Sequence, residues 1–129
     1  MKILINNTNG QPIYDQIYTQ IRDQILNETL KEDEALPSIR GLAKELRISF
    51  ITTKRAYEEL ERDGFIYTLP AKGSYVSRRN YALLKEEYLR QIEESIEHIQ
   101  KLSVSCGLHK SDIHKMIDEL WGGEEDERD

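Results

Sequence analysis

Apolar side chains recur along this chain at helical spacing in five separate stretches, with two short strand-like runs between the third and the fourth. From Pro12 to about Asn27, the residues Ile13, Tyr14, Ile17, Tyr18, Ile21 and Ile25 step by three or four, with Asp15, Gln16, Arg22 and Asp23 between them. That pattern predicts an amphipathic helix. Proline suits the first position of a helix, and asparagine tolerates the left-handed conformation of a C-terminal cap at Asn27. Ahead of this helix, Lys2–Asn6 is a short β-prone run closed by Asn7-Thr8-Asn9-Gly10, whose Asn-Gly is a strong turn signal.

The next boundary is Leu36-Pro37-Ser38, because the residue before a proline is pushed out of helical geometry. Ser38 is a good N-cap for a short helix reaching about Leu46, with Leu42, Ala43 and Leu46 inward and Gly41 as its weak point. Ser49 can cap a third helix of about fourteen residues, with Thr53, Ala56, Tyr57 and Leu60 on one side. Its other side offers Phe50, Ile51, Thr52, Lys54 and Arg55, and Asp63-Gly64 ends it. Phe65–Thr68 and Ser74–Val76 then read as two strands around the tight basic turn Leu69-Pro70-Ala71-Lys72-Gly73. Two helices across a short turn, followed by a β-hairpin, is the order of a winged helix-turn-helix.

Beyond Asn80 the period returns to helical. Tyr81, Leu84, Tyr88, Ile92, Ile96, Ile99 and Leu102 predict one long helix to about Ser105. Gly107 breaks it, and Ser111 can cap a last helix whose apolar face is Ile113, Met116, Ile117, Leu120 and Trp121. The stripe from Tyr81 to Leu102 has two readings, packing against the last helix and contact with another subunit. The last helix is too short to cover it, so apolar length is left for a second chain. The expected organisation is a winged helix-turn-helix over residues 1–78, a helical dimerisation domain over 79–121, and a disordered acidic tail over 122–129. The expected class is mainly α with a small β-hairpin wing.

Charge sharpens this division. The net charge of −6 argues against a nucleic-acid partner only until it is split along the chain. Residues 1–79 carry 12 Lys and Arg against 11 Asp and Glu, whereas residues 80–129 carry 6 against 13. Within 40–79 the count is 9 basic to 5 acidic, a local excess of +4. A basic first part beside an acidic second part accompanies nucleic-acid binding.

The residues resemble a known family, the GntR transcription regulators of bacteria. The likeness runs from Gln11-Pro12-Ile13-Tyr14 through Leu36-Pro37-Ser38-Ile39-Arg40-Gly41-Leu42-Ala43 and Ile48-Ser49. It continues over Arg55-Ala56-Tyr57-Glu58-Glu59-Leu60-Glu61-Arg62-Asp63-Gly64-Phe65-Ile66 and closes on Lys72-Gly73-Ser74-Tyr75-Val76. Two short helices after the wing look like the YtrA branch, whose small C-terminal domain serves dimerisation. The resemblance implies a repressor that binds a pseudo-palindromic double-stranded DNA operator as a homodimer, and the branch implies ABC-transporter genes as targets. It places Ser38 and Arg40 on DNA phosphates, and has Ser49 cap the reading helix while offering a phosphate its hydroxyl and backbone N–H. Thr52 and Lys54 fall at phosphate or base contacts, with Arg55 one step further round, and Lys72-Gly73 reaches the minor groove. Where many members have an arginine this chain has Phe50, which can pack on a thymine methyl or between helices. It also has Thr53 at a usual aliphatic position, Ala71 where glycine is common at the wing tip, and Asn27 and Asp33 at loop positions often glycine. The dimerisation residues it points to are Tyr81, Leu84, Tyr88, Ile92, Ile96, Ile99 and Trp121.

Other chemistry finds little purchase. His109 and His114 are five apart, not the four that aligns ligands on one helix face, so no metal site is expected. Cys106 is single, cannot form an internal disulfide, and has no catalytic arrangement around it. No catalytic residues and no cofactor are expected, and an enzyme is excluded on this pattern. No stretch reaches the ~20 apolar residues of a membrane span and the N-terminus has no signal-peptide core, which points to the cytoplasm. A small-molecule effector is left open, with the dimer interface a better place for it than a deep pocket in the short C-terminal part. The alternative from another class is a winged-helix module that binds protein. A neutral or acidic face would favour it, and the basic wing and helix face favour DNA.

Overall fold

The structure is a computed structural model and describes residues 1–122; the acidic run expected to be a tail lies almost entirely outside the described residues. Its elements are α1 (Ile13–Leu26), α2 (Ile39–Leu46), α3 (Phe50–Arg62), β1 (Ile66–Leu69), β2 (Gly73–Val76), α4 (Ala82–Cys106) and α5 (Lys110–Trp121). It is mainly helical with one antiparallel hairpin. The chain divides into two compact units, Met1–Tyr81 and a second beginning at Ala82.

In the first unit the core is built from one stripe of each helix. Ile17, Ile21 and Ile25 of α1, Leu42 and Ala43 of α2, and Ala56, Tyr57 and Leu60 of α3 are buried together with Phe65, Ile66 and Val76. Thr53, at an otherwise apolar position of α3, is fully buried, and its hydroxyl donates to the carbonyl of Ser49 at 3.1 Å. A buried hydroxyl with a partner escapes most of the cost of desolvation, so the departure from an aliphatic residue is tolerated.

Both short helices are capped by the serines their sequences supply. Ser38 accepts from the N–H of Gly41 at 2.9 Å, and Ser49 from that of Thr52 at 3.1 Å. Gly41 has a reason to be glycine, because a Cβ there would lie 2.8 Å from the Ser38 hydroxyl. Between the helices Arg47 takes the left-handed conformation at φ 57° that closes α2. At the end of α1, Asn27 stays at φ −90° and Glu28 takes the left-handed position at φ 65°. Asn27 instead uses its side chain, accepting from the N–H of Thr29 at 3.0 Å. Pro12 occupies the cap position of α1 and Ile13 is the first helical residue.

The hairpin pairs Ile66 with Val76 through Leu69 with Gly73, and the linker before α2 covers its free edge. Asp33 donates its N–H to Val76, Leu36 donates to Ser74, and Val76 donates back to Glu34, at 2.8–3.0 Å. Asp33 sits at φ 62°, and its carboxylate accepts from Arg78 and from the Tyr67 hydroxyl. Those two donors, Arg78 foremost, hold its carboxyl below the usual range.

The N-terminal run expected as a strand is extended but has no strand beside it. Its partners are three glutamines four residues apart on α1. Gln20 accepts from the N–H of Leu4 at 2.9 Å and donates to its carbonyl at 2.7 Å; Gln16 does the same for Asn6 at 2.8 and 2.7 Å. Gln24 donates to the carbonyl of Lys2 at 2.8 Å. The spacings fit, because four helical residues rise about 6.0 Å and two extended residues about 6.7 Å. The primary amides act as a discontinuous β-strand, and Ile3 is buried beside them.

In the second unit α4 and α5 turn at Gly107, which has φ 77°. The cap of α5 falls at His109, two residues before the serine expected there, because the Asp112 carboxylate accepts the His109 N–H at 2.8 Å. Neither helix buries a single residue within one chain. The expected packing of the long stripe against the last helix is therefore a minor part of its environment.

Replacing Gln16, which is 3% exposed, with Ala removes both partners of Asn6. Expected is a loss of about 1–3 kcal/mol, the net worth of the hydrogen bonds Gln16 makes to the backbone of Asn6 and Gln11. Chemical denaturation measures it, and hydrogen exchange should show the Leu4 and Asn6 amides losing protection first.

Candidate nucleic-acid interface

With Thr53, Ala56, Tyr57 and Leu60 inward, the helical period turns Ile51, Lys54, Arg55, Glu58 and Arg62 of α3 outward. The exposed surface here joins Ser38 and Arg40 at the start of α2, the turn at Arg47, and Ser49, Phe50, Ile51, Lys54 and Arg55 on α3. Thr52 is half-buried, and its hydroxyl accepts from Ser49 at 2.7 Å, so the capping pair is already mutually engaged.

α3 is held at its angle by a contact from its buried side. The Tyr57 hydroxyl donates to the carbonyl of Pro37 at 2.7 Å, tying the middle of α3 to the residue before the α2 cap. Thus Ser38 and the first turn of α3 are positioned through one buried phenol. Burial pushes its ionisation well above the ordinary tyrosine range. At the far end of α3 the Tyr18 hydroxyl donates to Asp63, and this bond, the largest influence on that carboxyl that favours its charged form, keeps it below its usual value.

The arginines fall into two groups that the sequence does not separate. The guanidinium of Arg40 lies over the Phe50 ring, 4.8 Å from its centroid, and leaves its charge exposed. Arg55 lies 3.6 Å above the Tyr14 ring and its Nε is 3.4 Å from the Glu59 carboxylate, so it links α1 to α3 while remaining partly open. Arg78 is paired with Asp33. Arg79 donates to the carbonyl of Asp63 at 2.6 Å and lies over the rings of Phe65 and Tyr81. Three of the cations in the basic stretch, Arg55, Arg78 and Arg79, therefore serve the fold. Conversely, Arg47 stands in this surface though it was not among the expected DNA contacts, and Ile51, read from the sequence onto the outer side of α3 without a role, stands beside it.

At the hairpin tip the Lys72 N–H donates to Leu69 at 3.0 Å, closing a turn in which Ala71 takes φ 64°. Gly73 sits at φ 107°, a conformation that favours glycine. The Tyr75 hydroxyl donates to the Lys72 carbonyl at 3.0 Å, and Thr68 and Ser74 share a hydrogen bond across the strands. Lys72 is thereby presented on a braced loop.

The second unit carries the other set of candidates. Leu84 and Tyr88 are half-buried, while Ile92, Ile96 and Ile99 of α4 and Trp121 of α5 are exposed. Tyr81 belongs to the first unit, stacked on Phe65 with centroids 5.6 Å apart. An open groove of about 450 Å³ runs between the two helices, lined by Ile96, Ile99, Val104, Leu108 and Ile113 and edged by Lys110. α5 leaves α4 at Gly107 and the gap between them stays open, a groove and not a closed cavity. No helix among the described residues is long and apolar enough to cross a membrane.

Residues 13–76 match the family of bacterial regulatory proteins called gntR. The HTH-type transcriptional repressor YtrA of Bacillus subtilis is 32% identical over 118 residues, covering 92% of this chain and 91% of the relative. Among solved structures, a transcriptional antiterminator from Listeria monocytogenes aligns over 95% of this chain and 91% of its own, with a TM-score of 0.65 and 30% identity. The DNA-binding domain of AraR, solved in complex with operator ORX1, shares the fold over 60% of this chain and 96% of its own, with a TM-score of 0.53 at 21% identity.

Expected from the Tyr57 contact is a specific loss of stability at high pH. The folded chain keeps this proton where the unfolded chain releases it, so the contribution is complete below about pH 10 and lost as pH rises from there. Tyr57→Phe should flatten the fall of stability above pH 10, as read by denaturation midpoints between pH 8 and 11.

Proposed function

The chain belongs to the GntR family of bacterial regulatory proteins and is YtrA-like, and from that premise we propose that it is a repressor acting as a homodimer on a pseudo-palindromic operator. Its family consists of transcription regulators that bind DNA, not enzymes. The observation that carries the DNA reading is the exposed surface of α2, the turn and α3, with Arg40, Arg47 and Lys54 open on it, and Lys72 exposed at the hairpin tip. In this reading α3 enters the major groove, since helix-turn-helix proteins place their second helix there. Ser38, Arg40, Ser49, Thr52 and Lys54 meet phosphates or base edges, and Lys72-Gly73 reaches the adjacent minor groove. Arg55, already on Tyr14 and Glu59, serves chiefly to hold α1 and α3 together. ABC-transporter genes are the proposed targets, on the YtrA-like character of the chain.

The homodimer reading is supported by the second unit. α4, 25 residues and about 37 Å long, keeps Ile92, Ile96, Ile99 and Leu102 exposed in one chain. An amphipathic helix needs something to bury its stripe, and the two-fold symmetry of operators supplies the reason for a second copy. Leu84, Tyr88 and Trp121 join this interface. An effector, where one exists, would use the open groove or the space between subunits.

Wild-type chain should sediment as a dimer at micromolar concentration, and Ile92→Glu with Ile96→Glu should give folded monomers with much weaker operator binding. A wild-type monomer at that concentration excludes the homodimer.

Binding should fall steeply with salt in spite of the acidic net charge. Two wings and four helix N-termini per dimer neutralise on the order of 6–10 phosphates, which gives a drop of ~10³–10⁵-fold between 50 and 200 mM salt. Lys72→Ala should shallow that dependence while lowering affinity for all duplexes about equally. Salt-independent association, or binding to protein in place of DNA, would favour the interaction-module reading.

A further inference from the structure

Two large apolar side chains stand outside the core on the first turn of α3. Ile51 is 77% exposed and points away from the Thr53, Ala56, Tyr57 and Leu60 stripe; Phe50 is 38% exposed. The other exposed large apolar residues of the first unit, Met1, Leu4 and Leu69, lie at the N-terminus or on the hairpin. Only Phe50 and Ile51 are adjacent on one helical turn, and they sit on the same exposed surface as Arg40, Lys54 and Arg55. Arg40 covers part of the Phe50 ring from α2, with 4.8 Å between guanidinium carbon and ring centroid, which steadies the ring and leaves the rest of it open.

Neither side chain has a hydrogen-bond donor or acceptor. The floor of the major groove is made of acceptors at N7, O6 and O4, donors at N4 and N6, and one apolar group, the C5-methyl of thymine. Set against any of the polar groups, Phe50 or Ile51 would strip water from it and return nothing. Set against the methyl, each buries apolar surface on both sides. We propose that Phe50 and Ile51 select the operator by packing on thymine C5-methyl groups, with Arg40 as the positioning residue for the Phe50 ring. This rests on the DNA-binding reading above and adds which bases are chosen and by which atoms. The surrounding cations supply attraction to any duplex, and the apolar pair supplies choice.

The test uses the full chain to select duplexes from a random-sequence library, after which each thymine of the selected half-site is replaced by uracil. That replacement deletes the C5-methyl alone and leaves the protein untouched. At one or two thymines per half-site, uracil should weaken binding about three- to fivefold, the worth of one buried methyl group, with the remaining thymines indifferent. In Phe50→Ala and in Ile51→Ser, both at exposed positions, the penalty should vanish at one of those thymines and persist at the others. Silent uracil replacements throughout, or a penalty that survives both substitutions, would overturn the proposal and leave the DNA-binding reading in place. Failure to select any sequence would overturn both.

Discussion

α3 has to be gripped from one side only, and the rest of the first unit is arranged around that constraint. Its buried stripe is Thr53, Ala56, Tyr57 and Leu60, four residues in thirteen. A helix that short gains little from its own propensity and depends on what packs against it. α1 and α2 supply that packing, the Tyr57 hydroxyl fixes the tilt against Pro37, and Tyr18 secures the far end through Asp63. Because most of these contacts come from behind, the opposite face owes little to the fold beyond Arg55, which reaches Tyr14 and Glu59. Side chains such as Ile51 and Lys54 there can vary at small cost to stability, which is the condition for a surface whose chemistry is set by its partner.

Much of this was legible in the sequence because it is written in local patterns. The caps at Ser38 and Ser49, the stripe of α3, the stop at Asp63-Gly64 and the hairpin turn each depend on residues within four positions of one another. What was not legible depends on partners far apart in the chain. Gln16 reads as part of the polar side of an amphipathic helix, and periodicity carries no hint that it, Gln20 and Gln24 pair with the backbone 10, 16 and 22 residues earlier. Arg55, Arg78 and Arg79 look like free cations until Tyr14, Asp33 and the Asp63 carbonyl are found beside them. Charge counting cannot distinguish an arginine that faces a ligand from one that holds two elements together. At the start of α5 the cap falls at His109 and not at Ser111, because Asp112 in the first turn accepts the His109 N–H.

The two units bury their apolar residues differently. The first unit closes its core within one chain, with Ile17, Ile21, Thr53, Ala56 and Leu60 wholly inaccessible. The second has no fully buried residue among those described, although its stripe is as regular as that of α1. Acidic excess in this second part keeps so much exposed apolar length from acting as a general adhesive, since like charges repel chains that meet without the right register. The basic excess of residues 40–79 gives the first unit the opposite electrostatic character.

The glutamine ladder on α1 separates two tasks that a β-sheet performs together. Each amide offers the same donor and acceptor to whatever extended backbone lies opposite, so the ladder would accept the N-terminal segment equally well after a slip of two residues. Discrimination between those alignments comes from Ile3, the one side chain of the segment that is buried. A slip of two residues would lift it out and seat Met1 or Ile5 in its place. Strength of attachment and choice of alignment are thus encoded at different positions, three polar and one apolar. Polar changes at Ile3 would leave the pairing intact and make it degenerate, a segment bound firmly in more than one frame.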